Sequence, residues 1–131
     1  MNNTMLQLSD RKFRIENMSK FMALKAVKSL IGHSETISSK SGQHWKHVHP
    51  KDILNVSSLE EVLRIWRWIP TVDSGGNIID LLFNGNEDGD ESILFHTIAP
   101  FVTHQSYLRC VINGRNVIWK FQGGRCIKEV V

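Results

Sequence analysis

The sequence predicts an α+β fold: a long N-terminal helix, then elements in the order α-β-β-α-β-β-β with a largely antiparallel sheet. Two observations indicate this fold. Apolar residues recur at helical spacing in the first third of the chain, whereas they alternate with polar residues over 107–130. Two-residue glycine turns, Asn113-Gly114 and Gly123-Gly124, divide that alternating region into hairpins. With 131 residues, the chain is expected to form a single domain over 1–131.

Ser9-Asp10 is predicted to cap a helix over 11–31, with Gly32 as its end. The apolar residues of this helix form two stripes, as in a helix that packs on two sides or contacts a partner. Residues 32–50 are polar and irregular. The first part, 1–50, is therefore predicted to be a helical extension with a polar linker, and 51–131 a compact α+β body. The two stripes are Ile15, Met18, Met22 and Ala26, and Phe13, Leu24, Val27 and Ile31.

Local signals place the elements of the body. Ser58 and Glu61 form a capping box for a short helix, and Pro70 ends it. Asp90 is predicted to cap a second helix, whose apolar residues have helical rather than alternating spacing. The predicted extended segments are 69–72, 77–83, 107–112, 116–122 and 125–130.

The two cysteines are predicted to be reduced and buried. The two hairpin turns place Cys110 opposite Val117 and Cys126 opposite Phe121, on strands that flank a shared central strand. Two strand spacings are about 9.5 Å, which exceeds the roughly 7 Å between Cα atoms that a disulfide allows. The predicted core face carries Leu108, Cys110, Ile112, Val117, Trp119 and Phe121; the opposite, half-exposed face carries Tyr107, Arg109, Val111, Ile118 and Lys120.

The net charge of +3 is distributed unevenly. Residues 1–70 hold eleven Lys/Arg against six Asp/Glu, and residues 71–131 hold five against seven. Much of the basic excess lies in one run, from Arg11 to Lys28. Such a run favours an anionic partner such as nucleic acid, although a solvated helix face gives the same pattern. The predicted binding residues are Arg11, Lys12, Arg14, Lys20, Lys25 and Lys28 of the run, with Arg109 and Lys120 of the sheet.

The segment HWKHVHP contains three histidines, His44, His47 and His49. Imidazole is a common metal ligand, but a structural zinc site needs four ligands, and Asp52 is the nearest carboxylate. A surface histidine cluster is therefore favoured over a metal site. Phosphate-binding glycine motifs are absent from the sequence, and no cofactor is predicted.

A small metal-independent ribonuclease is one alternative function. Two histidines, or a histidine with a basic residue and a hydroxyl, can cleave RNA by acid–base chemistry at the 2′-OH. His104, Tyr107, Arg109 and Thr103 could meet at the start of a strand. The helical spacing, however, places His96 on the solvent side of its helix.

Two further segments have structural and functional interpretations. The acidic loop with Glu87, Asp88, Asp90 and Glu91 lacks the twelve-residue calcium pattern, so a helix cap with a solvated turn is favoured.

In RIWRWIP, Trp66 and Trp68 flank Arg67. Such aromatics can stack on bases, but near a helix-to-strand corner they are expected to anchor the core.

The strings LEEVLRIWRW, GGNIIDLLFNG, GDESILFHTIAPFV, SYL and IWKFQGGRC, between 58 and 126, resemble a pattern in small uncharacterised proteins of bacteria and their mobile elements. Where that pattern has acidic residues, Arg109 and Arg115 stand here. The resemblance implies a helix over 91–99 and a bacterial or phage setting. It carries no activity, so it implies no functional residue.

These observations favour a non-enzymatic accessory protein that binds a protein or a nucleic acid, with the basic N-terminal helix as the contact element. The alternatives are the ribonuclease, acting through His104 and His96, and an inhibitor or immunity protein that blocks another protein. The sequence shows neither a membrane-spanning run nor a signal peptide, so a cytoplasmic location without membrane partners is expected. A homo-oligomer is compatible with the sequence.

Overall fold

The computed structural model describes residues 6–41, 48–85 and 90–130, and the fold is α+β. The described strands are β1 (Leu6–Lys12), β2 (Trp68–Val72), β3 (Ile78–Phe83), β4 (Ser106–Ile112), β5 (Arg115–Gln122) and β6 (Arg125–Val130). The described helices are α1 (Lys20–Ser41), α2 (Pro50–Leu54), α3 (Leu59–Ile65) and α4 (Glu91–Ile98), with 3-10 turns at Asn17–Ser19 and Ala99–Phe101.

The strands form two antiparallel sheets. One has four strands in the order β1-β4-β5-β6, and the other is the β2-β3 hairpin. Ile15 and Ile78 join the sheets by exchanging two backbone hydrogen bonds, each 2.9 Å long. The predicted antiparallel pairing is thus confirmed for the described strands.

The N-terminal prediction is wrong in both the type and the position of its first element. Ser9-Asp10 does not cap a helix but lies inside β1, where the register with β4 shifts. Phe13 and Ile15 follow in an extended segment, and both are buried. The two apparent stripes therefore mix a period of two before the helix with a helical period after Lys20. Because β1 pairs with β4, this part of 1–50 is not an extension but belongs to the sheet.

The predicted linker also contains regular structure. Helix α1 extends to Ser41 rather than ending at Gly32, and α2 begins at Pro50, a residue suited to the first turn of a helix. Val48 is buried, and its backbone N–H donates to the carboxylate of Asp90 at 2.9 Å. Val48 therefore docks on the body.

The local signals of the body are largely confirmed. The Ser58 hydroxyl accepts a hydrogen bond from the Glu61 N–H at 3.2 Å at the start of α3. Both predicted hairpin turns form with positive φ, 60° at Asn113 and 79° at Gly114 in the first. Such values are typical of type I′ turns.

The core lies between the four-stranded sheet and the helices, and an aromatic cluster holds its centre. Phe95 of α4 contacts Trp119 and Phe121 of β5 and Trp68 of β2, with ring centroids 5.1, 5.8 and 5.4 Å apart. The predicted core face of the sheet is buried, except that Ile112 is only partly buried.

Both cysteines are free and buried, as predicted, and the register Cys110↔Val117 and Phe121↔Cys126 is confirmed. Burial raises the pKa of each thiol to about 12, and at Cys110 the charge of Glu91 adds to the shift.

We expect both thiols to resist alkylation by iodoacetamide at pH 8.5 in the folded protein. The thiolate is the reactive form, and its formation is suppressed at Cys110 and Cys126 by the raised pKa. An unfolded chain has thiol pKa values near the ordinary 8.5, so guanidinium-unfolded protein should react quickly. Mass spectrometry over time measures both rates. Equal rates in folded and unfolded protein would contradict the prediction.

Because the pKa of each thiol is higher in the folded than in the unfolded protein, the neutral buried thiols contribute their full stabilisation at a pH below the unfolded pKa. It is lost as the pH rises from about 8.5 towards the folded value.

Candidate binding surfaces

The basic run from Arg11 to Lys28 is partly neutralised inside the fold. Arg11 forms a bidentate pair with Asp80 of β3, at 2.7 and 3.0 Å, and Arg14 pairs with Glu16. Lys20 reaches Glu60 of α3 at 2.6 Å. The hydrogen bonds to Asp80 and Glu16 raise the pKa of Arg11 and Arg14, respectively, above the ordinary value. Arg11 and Lys20 thus hold elements together, whereas the pair between Arg14 and Glu16 is local.

A cavity of about 920 Å³ lies beside the Arg11–Asp80 pair, between β1 and β3. Lys12 and Arg14 line this open groove together with Asp10 and Asp80. Because cations and carboxylates are mixed along it, the groove does not select a ligand of one charge.

The other cations of the run divide between two surfaces. Lys25 and Lys28 lie on α1, where the Lys25 ammonium is 5.5 Å from the centroid of the Phe21 ring. Lys12 is exposed on β1, directly opposite Tyr107 of β4. The predicted continuous basic helix is therefore wrong, because a strand supplies one part of the run and a helix the other.

The first surface is apolar and lies where α1 begins. Met18, Phe21 and Met22 are 87%, 66% and 52% exposed, and we call this group the α1 surface. Their spacing of three and four residues places them on one side of the helix start. A groove of about 280 Å³ lies beside Phe21, between α1 and the residues that begin α3.

The second surface is the face of the four-stranded sheet that points away from the core, which we call the outer face. Directly opposite residues share a face, so the register aligns Lys12, Tyr107 and Lys120 across three strands. Arg109 and Ile118 form the next row. A pocket of about 200 Å³ opens on this face, lined by Gln105, Ser106, Tyr107, Arg109, Ile118, Lys120 and Gln122.

Charges on the outer face are only partly paired. The Tyr107 hydroxyl donates to Asp10 at 2.9 Å, which raises the pKa of the phenol, so Tyr107 is a neutral donor at pH 7. Lys120 pairs with Glu129 at 2.9 Å. Among the side chains that the structure describes, Arg109 forms no ion pair with a carboxylate.

The two candidate catalytic histidines lie outside the lining of this pocket. His96 is exposed on α4, on the solvent side as predicted. His104 Nδ1 accepts the Gly123 N–H at 3.1 Å, so the ring braces the turn between β5 and β6. Tyr107 and Arg109 do meet, but the described geometry places neither histidine with them. The ribonuclease stays a prediction.

The predicted histidine cluster falls largely outside the described residues, which include neither His44 nor His47. His49 is exposed in front of α2. In the part of the chain that the structure describes, no three His, Cys, Asp or Glu side chains gather as metal ligands would.

The RIWRWIP segment anchors the core, as favoured. Trp66 and Trp68 are buried, and their indole N–H groups donate to the Asp90 carbonyl at 2.8 Å and to the Glu91 carboxylate at 3.4 Å. The expected helix start is confirmed, since Asp90 occupies the N-cap position of α4, but its side chain makes no capping hydrogen bond. The expected solvated turn is wrong at Glu91, which is only 2% exposed. Glu87 and Asp88 lie outside the described residues.

Sequence reasoning misses the α1 surface, and it finds the outer face without Lys12. Phe21 lies outside both apolar stripes of the predicted helix. This position is the signal in the sequence that indicates an exposed side chain. Lys12 was assigned to the helix, so its place beside Tyr107 could not be inferred. Only the pairing of β1 with β4 brings these two residues together.

Comparisons with known proteins do not indicate a function, so the two surfaces are the basis for inferring one. No family model, curated protein or solved structure matches the chain. Among the described residues, no helix combines the length and apolar character that crossing a membrane requires.

Proposed function

We propose that this is a non-enzymatic accessory protein that binds another protein through the α1 surface. The exposure of Met18, Phe21 and Met22 supports the proposal, because contiguous exposed apolar groups mark interaction sites on soluble domains. Aromatic residues and Met are also enriched in protein interfaces. On the resemblance of 58–126, the setting proposed for it is the cytoplasm of a bacterium or of a phage-infected cell.

Charges around the α1 surface define the partner further. Lys25 and Lys28 lie along the same helix, while the nearby Glu60 is neutralised by Lys20. The rim is therefore positive around an apolar centre. A partner with an apolar pocket and an acidic border complements it, since interfaces match apolar cores and opposite potentials.

We expect a Phe21→Ser/Met22→Ser variant to lose its partner while remaining folded. Affinity purification from the native host, followed by mass spectrometry, compares the wild type, this variant and Leu82→Ser, which changes an exposed apolar residue of β3 instead. Each protein that only the double variant fails to retain is then purified, and its affinity is measured directly. The wild type and Leu82→Ser should bind at least about tenfold more tightly than the double variant.

An identical set of captured proteins for all three baits, including an empty set, contradicts the proposal. Sedimentation with anionic phospholipid vesicles provides a separate readout. If Phe21 and Met22 control vesicle binding and no protein depends on them, the α1 surface is a membrane contact instead.

A further inference from the structure

The outer face of the four-stranded sheet is a second surface, independent of α1. The helix α4 packs on the opposite side of the sheet, where Phe95 contacts Trp119 and Phe121. The outer face instead presents long polar side chains around the pocket described above. Ile118 forms an apolar floor there and is only 7% exposed.

The balance of charge on this face is positive. Four cations, Lys12, Arg109, Lys120 and Arg125, lie at outer-face positions of four adjacent strands, as the register shows. The carboxylates beside them, Asp10 and Glu129, are engaged by the Tyr107 hydroxyl and by Lys120. Arg109 is thus left as a cation in a pocket, ready to meet an anion, and guanidinium groups bind phosphate with two hydrogen bonds.

An aromatic ring stands in the middle of these cations. Tyr107 lies between Lys12 and Lys120 in its row, and Arg109 is two residues along the same strand and on the same face. The hydrogen bond to Asp10 fixes the end of the ring. A fixed ring amid cations is the pairing of features that binds an unpaired base together with its flanking phosphates.

We propose that the outer face binds single-stranded nucleic acid, with a base stacked on Tyr107 and the phosphodiester backbone held by Arg109, Lys120 and Lys12. A sheet face favours a single strand over a duplex, since a stacking platform needs an unpaired base and a major groove needs a projecting helix or ribbon. The α1 surface plays no part in this binding.

Fluorescence anisotropy with labelled oligothymidylate and oligouridylate of about 20 nucleotides tests the proposal. This length exceeds the roughly 4–16 nucleotides that an OB-fold domain covers. The wild type should bind with log affinity that falls linearly with log salt. Arg109→Ala/Lys120→Ala should weaken binding and reduce that slope by about 1.4, or roughly 0.7 for each lost phosphate contact on a single strand. Tyr107→Leu should weaken binding by about fivefold or more.

Two variants serve as controls. Tyr107→Phe keeps the ring but loses the hydrogen bond to Asp10, so it should bind more tightly than Tyr107→Leu. Lys25→Ala/Lys28→Ala removes the same net charge from α1 and should leave binding within about twofold of the wild type.

The absence of binding at low salt overturns the proposal. So does an equal loss of affinity in the Lys25/Lys28 and Arg109/Lys120 double variants, which would show that net charge alone matters. Tighter binding to a duplex of the same length would also overturn the proposal, because the ligand would then be double-stranded.

Discussion

Phe95→Ala is expected to lower the free energy of unfolding by about 3–5 kcal/mol, the usual range for truncating a buried Phe. Phe95 is fully buried and contacts three other rings, those of Trp68, Trp119 and Phe121. These rings come from the hairpin β2-β3 and from the four-stranded sheet. Alanine would leave a cavity between α4 and both sheets, and the aromatic pairs would be lost with it.

Urea unfolding followed by tryptophan fluorescence measures this loss, since Trp68 and Trp119 report directly on the cavity. Phe21→Ala is the matched control, because it removes the same atoms from a side chain that is 66% exposed. It should change stability by no more than about 0.5 kcal/mol. Equal effects of the two substitutions would show that Phe95 does not hold the sheets together.

The C-terminal half of the fold could be predicted because its signals are local. In each hairpin the turn residues alone fix the register, and Asn113-Gly114 and Gly123-Gly124 aligned every residue of β4, β5 and β6 as expected. The capping residue Ser58 is similarly local, and it places the start of α3 correctly. No distant contact has to be known for these inferences.

The N-terminal half could not be predicted because its conformation depends on distant partners. β1 pairs with β4, roughly one hundred residues later, and the register shift between Leu8 and Arg11 interrupts the alternation that would identify a strand. Ile15 is extended because it bridges to Ile78. Without those partners, the apolar residues around Phe13 fit a helix equally well.

The same division applies to the candidate sites. The hairpin turn alone predicts that Tyr107, Arg109 and Lys120 share one face, and the observed pairing of β4 with β5 confirms it. Lys12 joins them only through the long-range pairing of β1. The neutralisation of Arg11 and Lys20 likewise depends on β3 and α3, so residue types alone could not separate bracing cations from available ones.

Glu91→Ala is expected to destabilise the protein by about 3 kcal/mol, near the lower end of the range for removing one partner of a buried ion pair. The Glu91 carboxylate accepts hydrogen bonds from Arg67 at 3.2 Å and from Trp68 at 3.4 Å. The lower end applies because the Arg67 side chain is partly exposed, so water can solvate the guanidinium once the carboxylate is gone.

The backbone at Arg67 adds to this expectation. Its φ of 71° is in the left-handed region, which costs a residue other than glycine about 1–3 kcal/mol. The ion pair with Glu91 and the position of the guanidinium 5.2 Å from the Phe83 ring centroid help to hold this conformation. Removing Glu91 therefore weakens the corner between α3 and β2 as well as the pair itself.

Urea unfolding of three variants separates these contributions. Glu129→Ala breaks the exposed pair with Lys120 and should cost no more than about 1 kcal/mol. Glu91→Gln keeps the shape of the side chain and an acceptor for the Trp68 indole, so its cost should fall between those of Glu129→Ala and Glu91→Ala. If Glu91→Ala costs no more than Glu129→Ala, the buried carboxylate does not stabilise this corner, and α4 is held by its apolar side chains alone.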